Sequence, residues 1–333
     1  MKTAVIGSGA WGTALAILLS KNGHDTTLWC RSEERAAEIR ASRINPRLPG
    51  VRLPEALNLT ADIRCVSDCR MVVFASPSFP FRQVCRQAAP FLNADSVLVS
   101  VTKGIEEGTL LRMSQIVAQE TGRGGIVALS GPCHAEEVAI SVPTGCLAAC
   151  EDRAKAELVQ DAFMSDTFRV YTSPDIIGAE LGGALKNVIA LCAGVASGLG
   201  FGDNTKAMLM TRGLTEIARL GVSLGARRDT LAGLSGVGDL IVTCTSSHSR
   251  NNRAGILIGQ GLPPDQAMAQ VGAVVEGYYA AKSAWELCQK QHVDMPIINA
   301  AYQVLYEGVD ARKAVSALLL RQRKPESEDA GWD

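Results

Sequence analysis

The run Gly7-Ser8-Gly9-Ala10-Trp11-Gly12 follows the short apolar segment Lys2–Ile6, and helical periodicity begins behind it and runs from Thr13 through Leu19. No other feature restricts the fold as much. A brief uninterrupted apolar stretch suits a strand buried on both faces of a parallel sheet. In a G-x-G-x-x-G turn the first glycine permits the tight bend, the second lets the backbone approach a pyrophosphate, and the third lets helix and strand pack closely. The helix start then offers unpaired N–H groups to the phosphates. The glycines alone are a weak signal, but a second strand over Asp25–Cys30 completes the setting in which they mark a dinucleotide site. Arg31 closes that strand where an NAD-preferring chain carries an acid for the ribose hydroxyls. A guanidinium there suits a 2′-phosphate, so the expected cofactor is NADPH, with NADH possible because Glu33 and Glu34 follow. A solvated arginine is the alternative.

Further buried strands are expected at Met71–Ala75, Ser96–Val101 and Ile126–Leu129, with a shorter one at Leu57–Thr60. Gly145–Cys150 and Phe168–Tyr171 flank a helix over Arg153–Met164. The pattern is that of an α/β, doubly wound sheet over residues 1–172. Such sheets bind ligands outside the carboxyl ends of their strands, which directs attention to Ser76-Pro77-Ser78, Thr102-Lys103-Gly104 and the turn Ser130-Gly131-Pro132-Cys133-His134. Lys103 is there a candidate substrate contact or a plain surface lysine. His134, beside Glu136 and Glu137 at a helix start, reads as a paired surface histidine.

From residue 173 the strand signals stop, and residues 173–320 read as an all-helical domain. Its first long helix carries Lys186 as the one charge between Leu181 and Gly202. An unpaired ammonium out of water costs several kcal/mol or shifts its pKa, so such a lysine either snorkels to solvent or serves chemistry. Gly182, Gly183 and Ala184 let another backbone or a ligand approach that turn. Downstream, Gly233–Gly238 form a glycine-rich turn, and a helix after it would set Asp239 and Thr243 one turn apart on one face, although Asp239 also suits a simple N-cap. Ser249-Arg250-Asn251 open another helix with a cap, a guanidinium fork and an amide, a good phosphate receptor. On the helix expected over Asp203–Leu224, Arg212 and Glu216 are spaced for an i, i+4 pair. Residues 321–333 read as a charged, disordered tail.

Composition narrows the partners. The 33 basic and 34 acidic residues nearly cancel, which gives no global attraction to nucleic acid or an anionic membrane. The uncharged run from Asn187 to Gly202 is too short for a membrane span. The ten cysteines lack both a disulfide framework and metal-ligand spacing, so no metal site is expected and a reducing cytoplasm fits.

In order along the chain stand Gly7 to Ala16, Val101-Thr102-Lys103-Gly104-Ile105-Glu106, Ser130-Gly131-Pro132, Ala184-Leu185-Lys186-Asn187-Val188, Gly236-Val237-Gly238-Asp239-Leu240 with Thr243-Cys244, Ser249-Arg250-Asn251 and Val275-Glu276-Gly277. Together they resemble the bacterial NAD(P)-dependent glycerol-3-phosphate dehydrogenases, from Met1 to about Leu320. The resemblance implies an N-terminal Rossmann domain, a C-terminal all-helical domain, a homodimer, and reduction of dihydroxyacetone phosphate to sn-glycerol 3-phosphate for phospholipid synthesis. It casts Lys186 as catalytic. Lys103, Gly131, Cys133, Asp239, Thr243, Ser249, Arg250 and Asn251 fall at the substrate site; Gly7, Gly9, Ala10, Trp11, Gly12, Arg31, Lys103, Ala135, Arg250, Val274 and Glu276 fall at the cofactor. The chain departs from the usual pattern after Ser-Gly-Pro, where Cys133 and His134 replace Ser or Thr and Phe, and at Ala10, which is often Ser. Two other readings stay open: a related two-domain reductase of β-hydroxy acids, and a non-catalytic NADPH-binding protein that keeps the fold.

Overall fold

The structure, a computed structural model, describes residues 1–246 and 248–326; the expectation for 327–333 lies outside the described residues. Eight strands, β1 (Lys2–Ile6), β2 (Asp25–Trp29), β3 (Asn58–Thr60), β4 (Met71–Phe74), β5 (Val97–Ser100), β6 (Val127–Ser130), β7 (Thr144–Ala149) and β8 (Phe168–Ser173), make one sheet in the order β3-β2-β1-β4-β5-β6-β7-β8. Helices α1 (Ala10–Lys21), α2 (Glu33–Ser42), α3 (Phe81–Ala88), α4 (Met113–Thr121), α5 (Ala135–Ala139) and α6 (Arg153–Phe163) accompany it. The strand order reverses between β2-β1 and β1-β4, and the glycine run leaves β1 at that switch point.

Every residue of β4, β5 and β6 is buried, as their uninterrupted apolar runs demand. Two apolar clusters cover the faces of the sheet, one built on α1 and α6, the other on α3 and α4. The pairing is parallel throughout except at β6 and β7, where Ser130 faces Leu147 in antiparallel register. The link from β6 holds only the five-residue α5, packed on α1, so the chain doubles back instead of crossing over. β7 and β8, around α6, are again parallel.

The remaining helices are α7 (Ile176–Gly198), α8 (Asp203–Ser223), α9 (Arg228–Ala232), α10 (Asp239–Thr245), α11 (Arg250–Gly259), α12 (Pro264–Val271), α13 (Glu276–Gln291), α14 (Pro296–Tyr306) and α15 (Ala311–Leu319). They pack around α7, whose N-terminus is capped by Asp175 accepting from the Gly178 N–H at 2.8 Å. α11 lies directly on α7, backbone to backbone. A Cβ on Gly194 would stand 2.1 Å from the Asn252 carbonyl oxygen, and one on Gly255 2.0 Å from that of Leu191. The helix that carries the uncharged run begins at Ile176, well before Asn187, so α7 is long and apolar enough by length and composition to cross a membrane. Here 89% of that stretch is buried inside the protein, which is the environment of a core helix.

One expected pair does not form. Glu216 turns away from Arg212 and accepts from the N–H groups of Ile297 (2.8 Å) and Ile298 (3.2 Å), capping α14. Unpaired helix-start donors in a buried place outcompete an exposed ion pair. Arg212 instead donates to the Glu326 carbonyl at 3.1 Å.

Candidate active site

At the switch point Gly7 has φ +130°, and a Cβ there would come 2.8 Å from the Ala75 carbonyl oxygen, so β1 and the end of β4 touch through this glycine. Gly12 is tighter still: its Cβ would lie 2.0 Å from the Gly7 carbonyl oxygen, whereas around Gly9 nothing comes within 4 Å. Two glycines therefore close the turn and the middle one leaves room beside the N-terminus of α1, which has no side-chain cap. Asn45, wholly buried, donates to the Ser8 carbonyl (2.9 Å) and to Thr13 Oγ1 (2.7 Å) and fixes the loop from behind. Trp11 Nε1 is buried with no protein partner at the same turn. Open helix N–H groups, an open space and an orphaned donor are what a pyrophosphate-bearing dinucleotide requires. Gly12→Ala should abolish dinucleotide binding while the helical domain stays folded; titration of NADPH fluorescence checks it, and binding within a few-fold of the parent chain would refute the cradle.

Arg31 and Val274 are exposed, and Ala135 is buried at the start of α5. Glu276 ties the two domains together. From the first turn of α13 its carboxylate accepts from the Ser78 N–H (3.2 Å) and Ser78 Oγ (2.5 Å) in the loop after β4. Burial raises its pKa against those bonds and the charge of Arg250. A Cβ on Gly104 would meet Ser78 Cβ at 2.6 Å, with Glu276 Oε2 at 3.9 Å, so the loops after β4 and β5 meet at this carboxylate.

Lys103, next to Gly104, reaches across to the helical domain. Its Nζ donates to the Gly131 carbonyl at 2.8 Å and to Asp239 Oδ2 at 2.6 Å. The other oxygen of the same carboxylate, Oδ1, receives Lys186 Nζ at 2.5 Å, and Lys186 also donates to Thr243 Oγ1 at 2.6 Å. Lys186 does not snorkel: its side chain is 7% exposed, and that of Asp239 1%. Asp239 is thus no mere cap; it opens α10 and bridges two ammonium groups. Thr243, one turn on, passes its own proton to the Asp239 carbonyl at 2.7 Å and so presents a lone pair to Lys186. Each ammonium has three N–H bonds and spends two, which leaves each with one donor for a ligand. Burial lowers the Lys186 pKa to about 8, with the Lys103 charge adding to the effect and Asp239 opposing it. For Lys103 burial also pulls down, but the charge of Asp239, then Cys133 and the hydrogen bond to Asp239, outweigh it and the pKa rises. The geometry therefore poises one lysine near neutrality and keeps the other positive.

Behind this pair the backbone is held firmly. Asn251 donates to Asn187 Oδ1 at 2.9 Å and accepts from the Gly277 N–H at 2.9 Å, linking α7, α11 and α13. Ser249 is buried and caps α11 by accepting from the Asn252 N–H at 3.2 Å, while Arg250, next in the chain, is exposed. Gly131 has φ +149°, and Cys133 is half-buried. His134 is no surface histidine paired with Glu136 and Glu137: it is half-buried, its Nε2 has no partner, its ring lies 6.0 Å from that of His248, and burial lowers its pKa. Sequence reasoning also missed Glu180, buried on α7, which binds the Ser114 N–H (2.7 Å) and Oγ (2.6 Å) and pairs with Arg112. Its only signal was a carboxylate at the head of an apolar helix. Among the described residues no three or more His, Cys, Asp or Glu side chains are grouped to hold a metal ion.

Both halves match known proteins. Residues 2–156 match the family model for the NAD-dependent glycerol-3-phosphate dehydrogenase N-terminus, and residues 175–316 that for its C-terminus. A glycerol-3-phosphate dehydrogenase of Pelotomaculum thermopropionicum, designated for NAD(P)+, is 51% identical over 98% of this chain and 95% of its own. One from Desulfitobacterium hafniense is 49% identical over 98% and 94%. The crystal structure of glycerol-3-phosphate dehydrogenase from Coxiella burnetii superposes with a TM-score of 0.92 at 35% identity, covering 96% of this chain and 99% of that one. The lysine pair and the glycine cradle thus sit in a chain that belongs, over both domains, to the NAD-dependent glycerol-3-phosphate dehydrogenase family.

Proposed function

We propose that this chain is an oxidoreductase that reduces dihydroxyacetone phosphate to sn-glycerol 3-phosphate with NAD(P)H, supplying the backbone of glycerophospholipids. The observation that carries the reading is the Lys103–Asp239–Lys186 bridge, joined through Gly104 and Glu276 to the loops of the dinucleotide cradle. The Gly7–Gly12 cradle would hold a reduced nicotinamide dinucleotide, which when bound would supply the hydride. As the C2 carbonyl of the substrate accepts it, the π electrons move to oxygen, and the unspent N–H of Lys186 delivers a proton there. Lys186, left neutral, regains its proton from solvent. Lys103 holds a second positive charge beside the developing oxyanion, and Asp239 with Thr243 fixes the direction of the Lys186 ammonium. Arg250 and the N-terminus of α11 take the phosphate, with Asn251 and Ser249 holding that helix start in place. Gly131 keeps Lys103 aimed, and Cys133 lines the same turn. Ala10, Trp11, Ala135, Val274 and Glu276 flank the cofactor.

Absorbance at the NADPH band tests the whole reading. Dihydroxyacetone phosphate should drive oxidation of NADPH, and keto acids should not; no oxidation with dihydroxyacetone phosphate would return the chain to a non-catalytic role. Arg31 directs the preference toward NADPH through the 2′-phosphate. Arg31→Asp should lower kcat/KM for NADPH by about 10–100-fold, the worth of a charge-assisted hydrogen bond, and leave NADH unchanged or improved. Equal losses for both nucleotides would remove Arg31 from that role. The reading includes a homodimer, which the family resemblance implies, and a cytoplasmic location, which ten unpaired cysteines support because they suit a reducing compartment.

A further inference from the structure

We infer that the helical domain holds a second binding site, for an unbranched acyl chain with an anionic head, apart from the cradle and the lysine pair. A cavity of about 500 Å³ lies between α7, α8, α14 and α15. Its walls are aliphatic: Leu191 and Val195 of α7, Leu209 of α8, Ala301 and Leu305 of α14, and Leu318 of α15. The α7 and α14 side chains are buried, whereas Met208 and Leu319, which also line it, are 48% and 63% exposed, so the cavity runs inward from an open rim. A recess of that size, apolar with a few polar groups to fix orientation, is the usual form of a small-molecule site. Lys186 shares α7, but neither it nor Lys103, Asp239 or Thr243 lines the cavity, so this site stands independently of the reading of the lysines.

The rim selects the head. Arg212 and Arg219 reach it from α8, and Arg321 and Lys324 from the segment behind α15; against these four cations stand Glu216, Asp294 and Glu326. Glu216 is turned onto the Ile297 N–H at 2.8 Å. One oxygen of Asp294 serves both Arg321 (3.0 Å) and Lys324 (3.2 Å). Arg212 meets no carboxylate among the described residues and donates to the Glu326 carbonyl at 3.1 Å. Guanidinium forks in such a place suit the paired oxygens of a carboxylate or phosphate. The walls select the tail. Among the described residues no aromatic ring lines the cavity, so a second nucleotide has nothing to stack its base on. Aliphatic side chains from four helices instead favour every methylene taken out of water, about fourfold in affinity each. A slender unbranched chain reaches the buried α7 wall, which the surface of a folded partner does not.

The full-length chain, freed of lipid on a hydrophobic resin, is titrated calorimetrically with octanoate, decanoate and dodecanoate below their micelle concentrations. One dodecanoate should bind per chain, about 10²-fold tighter than octanoate, from four further methylenes. Dodecyltrimethylammonium, with the same tail and the opposite charge, should bind at least about tenfold more weakly. Ala301→Phe, which puts a ring into the cavity, should bind no dodecanoate and keep its NADPH oxidation with dihydroxyacetone phosphate. Arg212→Glu should weaken dodecanoate about 10–100-fold, and it decides alone should Ala301→Phe not fold. Monododecanoyl glycerol phosphate, titrated beside dodecanoate, names the source of the head: tighter binding of the phosphate points to a lipid phosphate, tighter binding of the carboxylate to a free fatty acid, and either supports the site. Heats that do not saturate, an affinity flat with chain length, or undiminished binding by Ala301→Phe overturns the proposal. So does a parent dimer that binds no dodecanoate and that Ala301→Phe dissociates, which gives the cavity to a second copy of the chain. Dodecanoate binding by a parent chain that does not oxidise NADPH with dihydroxyacetone phosphate would sink the reading of the lysines and leave this site standing.

Discussion

Lys186→Ala binds NADPH as tightly as the parent chain and reduces dihydroxyacetone phosphate at least ~10²–10⁴-fold more slowly, the usual worth of a positioned general acid. The lysine touches Asp239 and Thr243 in the helical domain, so its removal leaves the cradle alone. Folding should tolerate the change, because Asp239 keeps Lys103 as its partner and no buried charge is left without a counter-charge. In the parent enzyme the pH dependence has a definite sign. Reduction needs the protonated amine, so kcat should fall as pH rises through about 8, and oxidation of sn-glycerol 3-phosphate needs the neutral amine and should rise through the same range. Stopped-flow rates in both directions test this. A near-normal kcat in Lys186→Ala, or parallel pH limbs in the two directions, would assign the proton to another group.

What was legible in the sequence follows from how local each signal is. Gly7 and Gly12 act through their own backbone, and their meaning survives without knowledge of any distant partner. Lys186 stood out for a similar reason, as a lone charge in an apolar run. Asp239 could not be resolved between cap and bridge, because the lysine that decides it lies 136 residues away. The direction of β7 was equally hidden: nothing in its residues records that α5 packs on α1 and turns the chain back. The reading of His134 failed because it weighed only Glu136 and Glu137, whereas the ring beside it belongs to His248 from the helical domain. Glu216 failed in the same manner, its true partner being the start of a helix some 81 residues on. Asn187 and Glu180 lay inside an apolar pattern that shows a helix is buried and is silent about what its polar groups meet.

The largest loss of stability should come from Asp239→Asn, which keeps the shape of the side chain and removes its charge. The parent carboxylate faces two buried ammonium groups, and its oxygens serve one each. Without it Lys103 and Lys186 repel one another in a place almost closed to water, and breaking such a buried arrangement costs about 3–5 kcal/mol. Because each lysine sits on its own oxygen, Asn in the same place would turn its NH2 donor toward one of the two ammonium groups. The deficit should depend on pH. Lys186 already titrates at about 8 in the folded protein, below its ordinary 10.5, so the unfolded chain binds more protons between those values and stability rises with pH there. Loss of Asp239, the main group that raises this pKa, drives it lower and opens the same window further toward acid. Urea unfolding should therefore show a larger gap between variant and parent at pH 6 than at pH 9, where Lys186 is neutral in both. Activity should fall with it, because the proton donor is then empty at neutral pH and no longer aimed, and the pH limb for reduction should move below 8. A gap that is small or independent of pH would mean that the two lysines do not share this carboxylate in solution.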